Sequence, residues 1–359
     1  MTVISNLEDA YFVASNSAEG FFSYYHEVFD HPRVKRVFAI KGGPGTGKSR
    51  FLREVAMRGE QAGCRCEYIY CSSDPDSLDG VILSCGEESI ALMDATFPHV
   101  YEPSRPGVRE EIINLGAFWD RAELVKRAET IETLNQTKAQ AYERAYRYLA
   151  GIGRLCQNRD ALVKPFVDFG GIATLAKRMM RDVREEGKSE IYPTLMRSIG
   201  MRGEVMLDTF LRQASKIYLI EDCRGIASYL MQELLSFAKQ KGLRVRLSYD
   251  PVLTDRLDGM FLCESRLAFV VASPQSCVYP CKQIRMRRFL DTASMKGVRG
   301  EVNFCERMRR LMMEGATGAL ARVRELHFLV EKEYISSMQF SEKENFTKIF
   351  CEGLFGLQN

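Results

Sequence analysis

A glycine-rich stretch near the N-terminus has the residue types and spacing of a phosphate-binding loop. It fits the pattern G-x-x-x-x-G-K-[ST], and its residues, with the one that follows, are Gly42, Gly43, Pro44, Gly45, Thr46, Gly47, Lys48, Ser49 and Arg50. Glycines let backbone N–H groups converge on phosphate oxygens, and the start of a helix adds partial positive charge. In this pattern the lysine reaches the β- and γ-phosphates, and the serine hydroxyl ligates Mg²⁺. The stretch therefore predicts a site for a nucleoside triphosphate, ATP, with Mg²⁺.

The flanking segments supply the strand and the helix that such a loop needs. Residues 34–40, VKRVFAI, are β-branched and aromatic, which predicts a buried strand. Residues 49–63 place Phe51, Leu52, Val55 and Ala56 on one face of a helix that ends at a glycine. The motif therefore lies in the strand–loop–helix setting that its chemistry requires.

A carboxylate for the magnesium ion is expected at the end of a neighbouring strand. Asp94 follows the apolar run of residues 90–93, and we predict that it ligates Mg²⁺ together with Ser49. The next residue is Ala95, where many fast ATPases carry a glutamate that positions water. This favours slow hydrolysis, a nucleotide-dependent switch, or transfer of the phosphoryl group to a bound acceptor.

The sequence repeats itself once. Residues 51–83 align without a gap to residues 230–262, at an offset of 179, and 10 of the 33 positions are identical. The segment EDCRGIASY stands in place of KGGPGTGKS, so the second copy lacks the glycines and the lysine. Glu221 and Asp222 align with Lys41 and Gly42, and Ser228 and Tyr229 are expected in the places of Lys48 and Ser49. The second copy is therefore predicted not to bind nucleotide.

Comparing the two copies separates structural residues from candidates for chemistry. Asp79 recurs as Asp258, which favours a structural role for it. Asp74, by contrast, lies in the segment CSSDPDS, which differs between the copies, so it is predicted to be a second catalytic carboxylate beside Lys48 and Asp94. Thr96 is a candidate sensor of the γ-phosphate and His99 a candidate substrate contact, although solvent-exposed polar roles remain open for these residues.

Several motifs together resemble those of a bacterial family of tandem P-loop ATPase-like proteins from Gram-positive lineages. They are FAIKGGPGTGKS, YCSSDPDSLDG, MDATFPH and EIINLGAFWD, and the resemblance spans nearly the whole chain. It implies a cytoplasmic ATP-binding protein built from two P-loop folds. Members of the family can carry a recognisable loop in the second unit as well, and this chain departs from them there.

The expected fold is α/β, with two tandem P-loop NTPase-like units. Each is a mostly parallel sheet flanked by helices and followed by a helical extension, with the active unit at residues 1–190 and the degenerate unit at residues 191–359. Long helical patterns after residue 120 and after residue 302 predict the extensions.

Composition narrows the range of partners. A net charge of +3 over 359 residues argues against nucleic acid, and no apolar run approaches the length of a membrane span. The N-terminal residues lack the pattern of a signal peptide, and the eleven cysteines show no framework spacing, so we expected free thiols in a reducing cytoplasm.

Three functions remain open from the sequence. The chain could be a slow ATPase or nucleotide-dependent switch, a small-molecule or nucleoside phosphotransferase, or a scaffold that ATP stabilises without turnover. An enclosed acceptor pocket beside the loop would favour the phosphotransferase.

Overall fold

The computed structural model describes residues 2–4, 9–86, 88–99, 101–185, 187 and 189–356. It contains two six-stranded sheets, each flanked by helices, and three of the five neighbouring strand pairs in each sheet are parallel. The predicted mixed α/β class with mostly parallel strands is confirmed. The identity of the units as P-loop NTPases, and the division at residue 190, stay predictions.

The first half runs from a short strand to a pair of helices. Its strands are β1 (Thr2–Ile4), β2 (Asp9–Phe12), β3 (Ala14–Ser17), β4 (Gly20–Ser23), β5 (Val34–Lys41), β6 (Arg65–Tyr70), β7 (Leu78–Cys85), β8 (Glu88–Asp94) and β9 (Glu110–Asn114). Its helices are α1 (Tyr25–Phe29), α2 (Lys48–Gln61), α3 (Arg121–Lys126), α4 (Ala128–Val163) and α5 (Phe169–Met180).

The second half repeats this succession. Its strands are β10 (Glu190–Thr194), β11 (Arg197–Gly200), β12 (Gly203–Leu207), β13 (Lys216–Glu221), β14 (Arg244–Tyr249), β15 (Leu257–Leu262), β16 (Leu267–Val271) and β17 (Lys282–Arg285). Its helices are α6 (Thr209–Gln213), α7 (Ala227–Gln240), α8 (Arg299–Ile335) and α9 (Phe340–Phe355).

The two large sheets have the same strand order. The first reads β2-β6-β7-β8-β5-β9 and the second reads β10-β14-β15-β16-β13-β17. Asp94 pairs in register with Ile40, and Val271 pairs with Ile220 at the equivalent place, which agrees with the sequence alignment. The internal repeat is thus visible in the tertiary structure.

Local sequence accounts for the strand and the helix beside the loop. In β5 the residues Val37, Phe38, Ala39 and Ile40 are all buried, because this strand lies between β8 and β9 inside the sheet. In α2 the four apolar positions predicted to share a face are fully buried. The elements that carry the loop therefore form as their hydrophobic patterns predict.

The helical extensions exchange places between the halves. Helix α5 follows the first sheet in sequence, but its apolar face packs into the core of the second half, against α7. Helix α9 follows the second sheet but packs on α2, where Phe346 and Phe350 contact Phe51. The long helices α4 and α8 pack against each other between the halves. Each sheet is therefore covered by a helix from the other half.

Backbone pairings show that this exchange is symmetric. Trp119 and Met338 form an isolated β-bridge, and Val167 and Leu290 form another. The two bridges are equivalent, because Leu290 lies 171 residues after Trp119 and Met338 lies 171 residues after Val167. Phe12 and Leu195 exchange both of their backbone hydrogen bonds at the junction of the halves. The molecule therefore has an internal twofold arrangement.

The disulfide between Cys64 and Cys85 corrects the expectation that the cysteines are free thiols. The two residues lie far apart in sequence, and the antiparallel pairing of β6 with β7 brings them together, which no local spacing reveals. The other nine cysteines, Cys351 among them, take no part in this disulfide.

No helix in the described part of the chain is both long and apolar enough to cross a lipid bilayer.

Candidate functional site

The loop between β5 and α2 has the backbone shape that its glycines predict. Gly45 and Gly47 have φ angles of 73° and 76°, in the left-handed region that other residues avoid. Helix α2 begins at Lys48, directly after Gly47. The first N–H groups of α2 have no partner within the helix, so they are available to an anion bound at the loop.

Lys48 lies across this loop and faces the predicted magnesium ligand. Its ammonium group donates hydrogen bonds to the carbonyl oxygens of Gly42 at 2.6 Å and Gly43 at 2.9 Å, and it lies 3.5 Å from Asp94 Oδ2. Strands β5 and β8 are parallel neighbours, so their carboxyl ends place the loop and Asp94 at the same edge of the sheet. The two residues expected to act together do meet.

The other predicted residues of the loop region make specific contacts. Thr96 donates through Oγ1 to the carbonyl of Gly42 at 2.9 Å, and its backbone N–H binds Asp94 Oδ1 at 2.8 Å. The Ser49 hydroxyl oxygen accepts the N–H of Leu78 at 2.9 Å. A serine hydroxyl and a carboxylate are hard oxygen donors, so the donor set of Ser49 and Asp94 suits Mg²⁺.

The outer predicted residues lie at the edge of the site. Asp74 caps its own turn, where Oδ2 accepts the hydroxyl of Ser77 at 3.0 Å. Arg50 forms an exposed ion pair with Glu344 of α9 at 3.1 Å. Neither contact involves Lys48, so Asp74 and Arg50 belong to the rim of the site.

A second buried cluster lies behind the loop. One ligand-type atom from each of Cys71, Asp79 and His99 falls within 4.8 Å of the others, and His99 Nε2 lies 3.2 Å from Asp79 Oδ2. Burial raises the pKa of Asp79 to about 6, although the charge of His99 opposes this. Sequence comparison favoured a structural role for Asp79 because Asp258 recurs, but Asp258 binds Arg197 instead of a histidine. The two acids therefore have different partners.

The C-terminal end of α8 covers the loop from the other half. A side-chain carbon placed on Gly45 would lie 3.0 Å from the backbone oxygen of Glu331 and 2.8 Å from the side chain of Ile335. On the neighbouring glycine, Gly43, it would lie 3.0 Å from Trp119. The loop is thus enclosed by residues from both halves.

Two ionisable residues on this end of α8 face the loop. Glu331 Oε1 lies 3.8 Å from His327 Nε2, and each side chain is 29% exposed. Burial raises the pKa of Glu331 and so does the charge of Asp74, whereas the N–H of Gly45 and the charges of Lys48 and Lys138 lower it. Burial, with the charge of Lys138, lowers the pKa of His327 to about 4. The sequence alone did not identify His327 or Glu331 as candidate site residues. The local signal for them was their spacing of four residues, which places both side chains on one face of a helix.

The corresponding loop of the second half is closed by its own carboxylate. Asp222 accepts hydrogen bonds from the N–H groups of Gly225 and Ala227, both at 2.8 Å. Helix α7 begins at Ala227, so Ala227 and Ser228, rather than Ser228 and Tyr229, take the places of Lys48 and Ser49. The prediction was wrong by one residue, but the position of the lysine is still without a cation.

An open groove of about 710 Å³ lies between α3, α4 and the end of α8. Trp119 and Tyr334 form its wall nearest Gly43, and their rings lie 5.2 Å apart. The rest of the lining is mostly apolar, including Leu124 and Ile131.

Comparison with protein-family models, with curated proteins and with solved structures finds no match to this chain. Its function therefore has to be argued from the site itself.

Proposed function

We propose that this chain binds one Mg²⁺–ATP in its first half and acts as a slow ATPase or nucleotide-dependent switch. The observation that carries the proposal is the position of Lys48. Its ammonium group lies across a loop with two left-handed glycines, at the start of a helix and 3.5 Å from Asp94. A cation that is partly shielded from solvent and held by carbonyl oxygens at a helix N-terminus suits an anionic ligand.

Each residue has a defined role when the nucleotide binds. The N–H groups of residues 43 and 45–49 surround the phosphates, and Lys48 exchanges its contacts with Gly42 and Gly43 for phosphate oxygens. Ser49 and Asp94 hold the magnesium ion. Bound Mg²⁺ offsets negative charge on the β- and γ-phosphates. Thr96, which already binds Gly42, keeps the loop in place beneath the γ-phosphate.

The second half is proposed not to bind nucleotide. Asp222 already occupies the N–H groups that a phosphate would need. A like charge at about 4 Å costs roughly 4 kcal/mol at the dielectric of a protein surface. No lysine stands at the start of α7 to offset that cost.

A second candidate is a small-molecule or nucleoside phosphotransferase that would take its acceptor in the open groove beside Trp119. With a volume of about 710 Å³ and a mostly apolar lining, this groove is large enough for a small organic acceptor. Trp119 and Tyr334 would place such an acceptor next to the phosphate loop.

Calorimetric titration with Mg²⁺–ATP tests the proposal. Lys48→Ala should weaken binding about 100-fold or more, because two or more charge-assisted contacts at about 1.5–3 kcal/mol each are lost. Lys35→Ala, at an exposed site on β5, the strand that precedes the loop, serves as the matched control and should bind like the wild type.

The same titration tests the number of sites. We expect one ATP per chain, and a stoichiometry of two would contradict the closed second loop. Equal affinity in Lys48→Ala and wild type would contradict ATP binding at this loop. Turnover measured with and without a metabolite library then separates the ATPase from the phosphotransferase, and binding without any turnover would indicate a scaffold.

A further inference from the structure

Helix α8 brings a carboxylate from the second half to the phosphate loop of the first. Glu331 lies over Gly45, and its carboxylate faces the N–H of that residue and the charge of Lys48. Gly45 stands in the middle of the loop, where N–H groups are expected to meet the β- and γ-phosphates. Glu331 is therefore within reach of the end of a bound triphosphate.

The other carboxylates near the loop are already engaged. Asp94 faces Lys48, Asp79 faces His99, and Asp74 caps the turn at Ser77. Residue 95, where a water-positioning glutamate is common, is alanine. Among the described residues, Glu331 lies against the loop without a lysine or arginine in an ion pair with it, and the neighbouring His327, at 3.8 Å, is neutral near pH 7 because its pKa is lowered to about 4.

The internal repeat provides a comparison. The residue equivalent to Glu331 is Asp160, since 331 − 160 equals 171, and it lies against Gly225 of the closed second loop. Asp160 accepts a hydrogen bond from Arg159 at 2.9 Å and forms an ion pair with Arg256. Both loops thus meet an acid from the opposite long helix, but only the acid at the second loop is held by two arginines.

We propose that Glu331 is the catalytic base of the ATP site, supplied to the first half by the second half. The inference rests on the proposed function. The oxygen of a water molecule attacks the γ-phosphorus while the bond from that phosphorus to the β,γ-bridging oxygen breaks. The proton of the water passes to the Glu331 carboxylate, and ADP leaves with the electron pair of the broken bond.

In this role the second half contributes a catalytic residue to the site of the first half, although it has no phosphate-binding loop of its own. Helix α8 packs along α4, and its last turns lie against Gly45 of the phosphate loop. The catalytic site is therefore complete only when both halves are assembled.

Glu331→Gln tests the proposal because it removes the charge and keeps the shape. ATP turnover should fall about 100-fold or more, the range expected for loss of a general base. ATP affinity, measured by calorimetry on the same preparation, should stay the same or increase. Glu331→Asp retains a carboxylate and should give intermediate turnover. The pH profile of turnover should lose its acidic limb in Glu331→Gln.

Glu325→Gln is the matched control, since Glu325 is an exposed residue on the same helix that pairs with Arg322. It should keep the turnover of the wild type. Wild-type turnover in Glu331→Gln would overturn the proposal, and faster turnover would make Glu331 an inhibitory occupant of the loop. A wild-type protein that binds ATP but never hydrolyses it would overturn it as well. Failure of the wild type to bind ATP would instead reject the proposed function.

Discussion

Glu67 is a buried carboxylate that joins the two halves. It binds Arg33 at 2.6 Å and Arg246 of the second half at 2.7 Å. Burial alone would raise its pKa, but the charges of Arg246 and Arg33 lower the pKa well below its usual range. Glu67 and Arg246 are equivalent positions of the repeat, since 246 − 67 equals 179. The same position of the repeat thus carries an acid in the first copy and an arginine in the second, and these two residues form an ion pair between the halves.

Glu67→Gln should lower the free energy of unfolding by about 3–5 kcal/mol at pH 7, because it leaves the partly buried guanidinium groups of Arg33 and Arg246 without their counter-charge. Urea denaturation measures this loss. The control is Glu111→Gln, which breaks an exposed pair with Arg36 of the same length and should cost about 1 kcal/mol or less. Equal losses in the two variants would contradict the role of burial.

The same carboxylate makes stability depend on pH. Its folded pKa is lower than the ordinary value of 4.5, so the unfolded chain binds the proton more readily. The stabilisation is therefore complete above pH 4.5 and is lost as the pH falls below it. The free energy of unfolding should be larger for the wild type than for Glu67→Gln at pH 7. We expect this difference to shrink when denaturation is measured at progressively lower pH.

At the scale of elements, the contact between α8 and the phosphate loop depends on Gly45. The left-handed backbone there favours glycine, and any side chain would run into Ile335 and the backbone of Glu331. The left-handed turn and the packed helix α8 thus both require glycine at position 45.

Gly45→Ala should destabilise the protein by more than its backbone strain alone. Gly63→Ala is the matched control, because Gly63 has a φ of 83° and no atom near its side-chain position. The control should lose about 1–2 kcal/mol from left-handed strain. Gly45→Ala should lose a further 1–3 kcal/mol or so from crowding, together with ATP affinity. Urea denaturation and calorimetry check this, and equal stability losses would show that α8 does not press on the loop.

At the scale of the whole molecule, the exchange of helices makes the halves interdependent. Without the second half, α2 loses α9, and Phe51 loses its contacts with Phe346 and Phe350. Each large apolar side chain that becomes fully exposed costs about 1.5–3 kcal/mol. Several such losses exceed the marginal stability of an ordinary domain.

Fragments 1–187 and 188–359 should therefore be unfolded or aggregated when each is expressed alone, and neither should bind ATP. Co-expression should restore both the circular dichroism spectrum and the calorimetric affinity of the intact chain. A folded fragment 1–187 with wild-type affinity for ATP would show that the exchanged helix is dispensable.

Local patterns in the sequence determined the elements of the predicted site. Strand β5, helix α2 and the turn-forming glycines follow from hydrophobic periodicity and backbone freedom over short segments. The sequence repeat predicted that the two sheets have equivalent strands. Asp94 lies beside Lys48 because the parallel neighbours β5 and β8 both end at the same edge of the sheet. These relations involve residues within one strand–loop–helix unit or one repeat, so a single sequence reveals them.

Only the tertiary structure decided which half each helix covers and which acids meet which cations. The apolar face of α5 or α9 could cover either sheet, and periodicity does not distinguish between them. Glu331 and Gly45 are 331 − 45 = 286 residues apart, and His99 meets Asp79 only after β7 and β8 have paired. Such contacts depend on how whole layers pack, because burial and charge pairing act between neighbours in space and leave no fixed spacing along the chain.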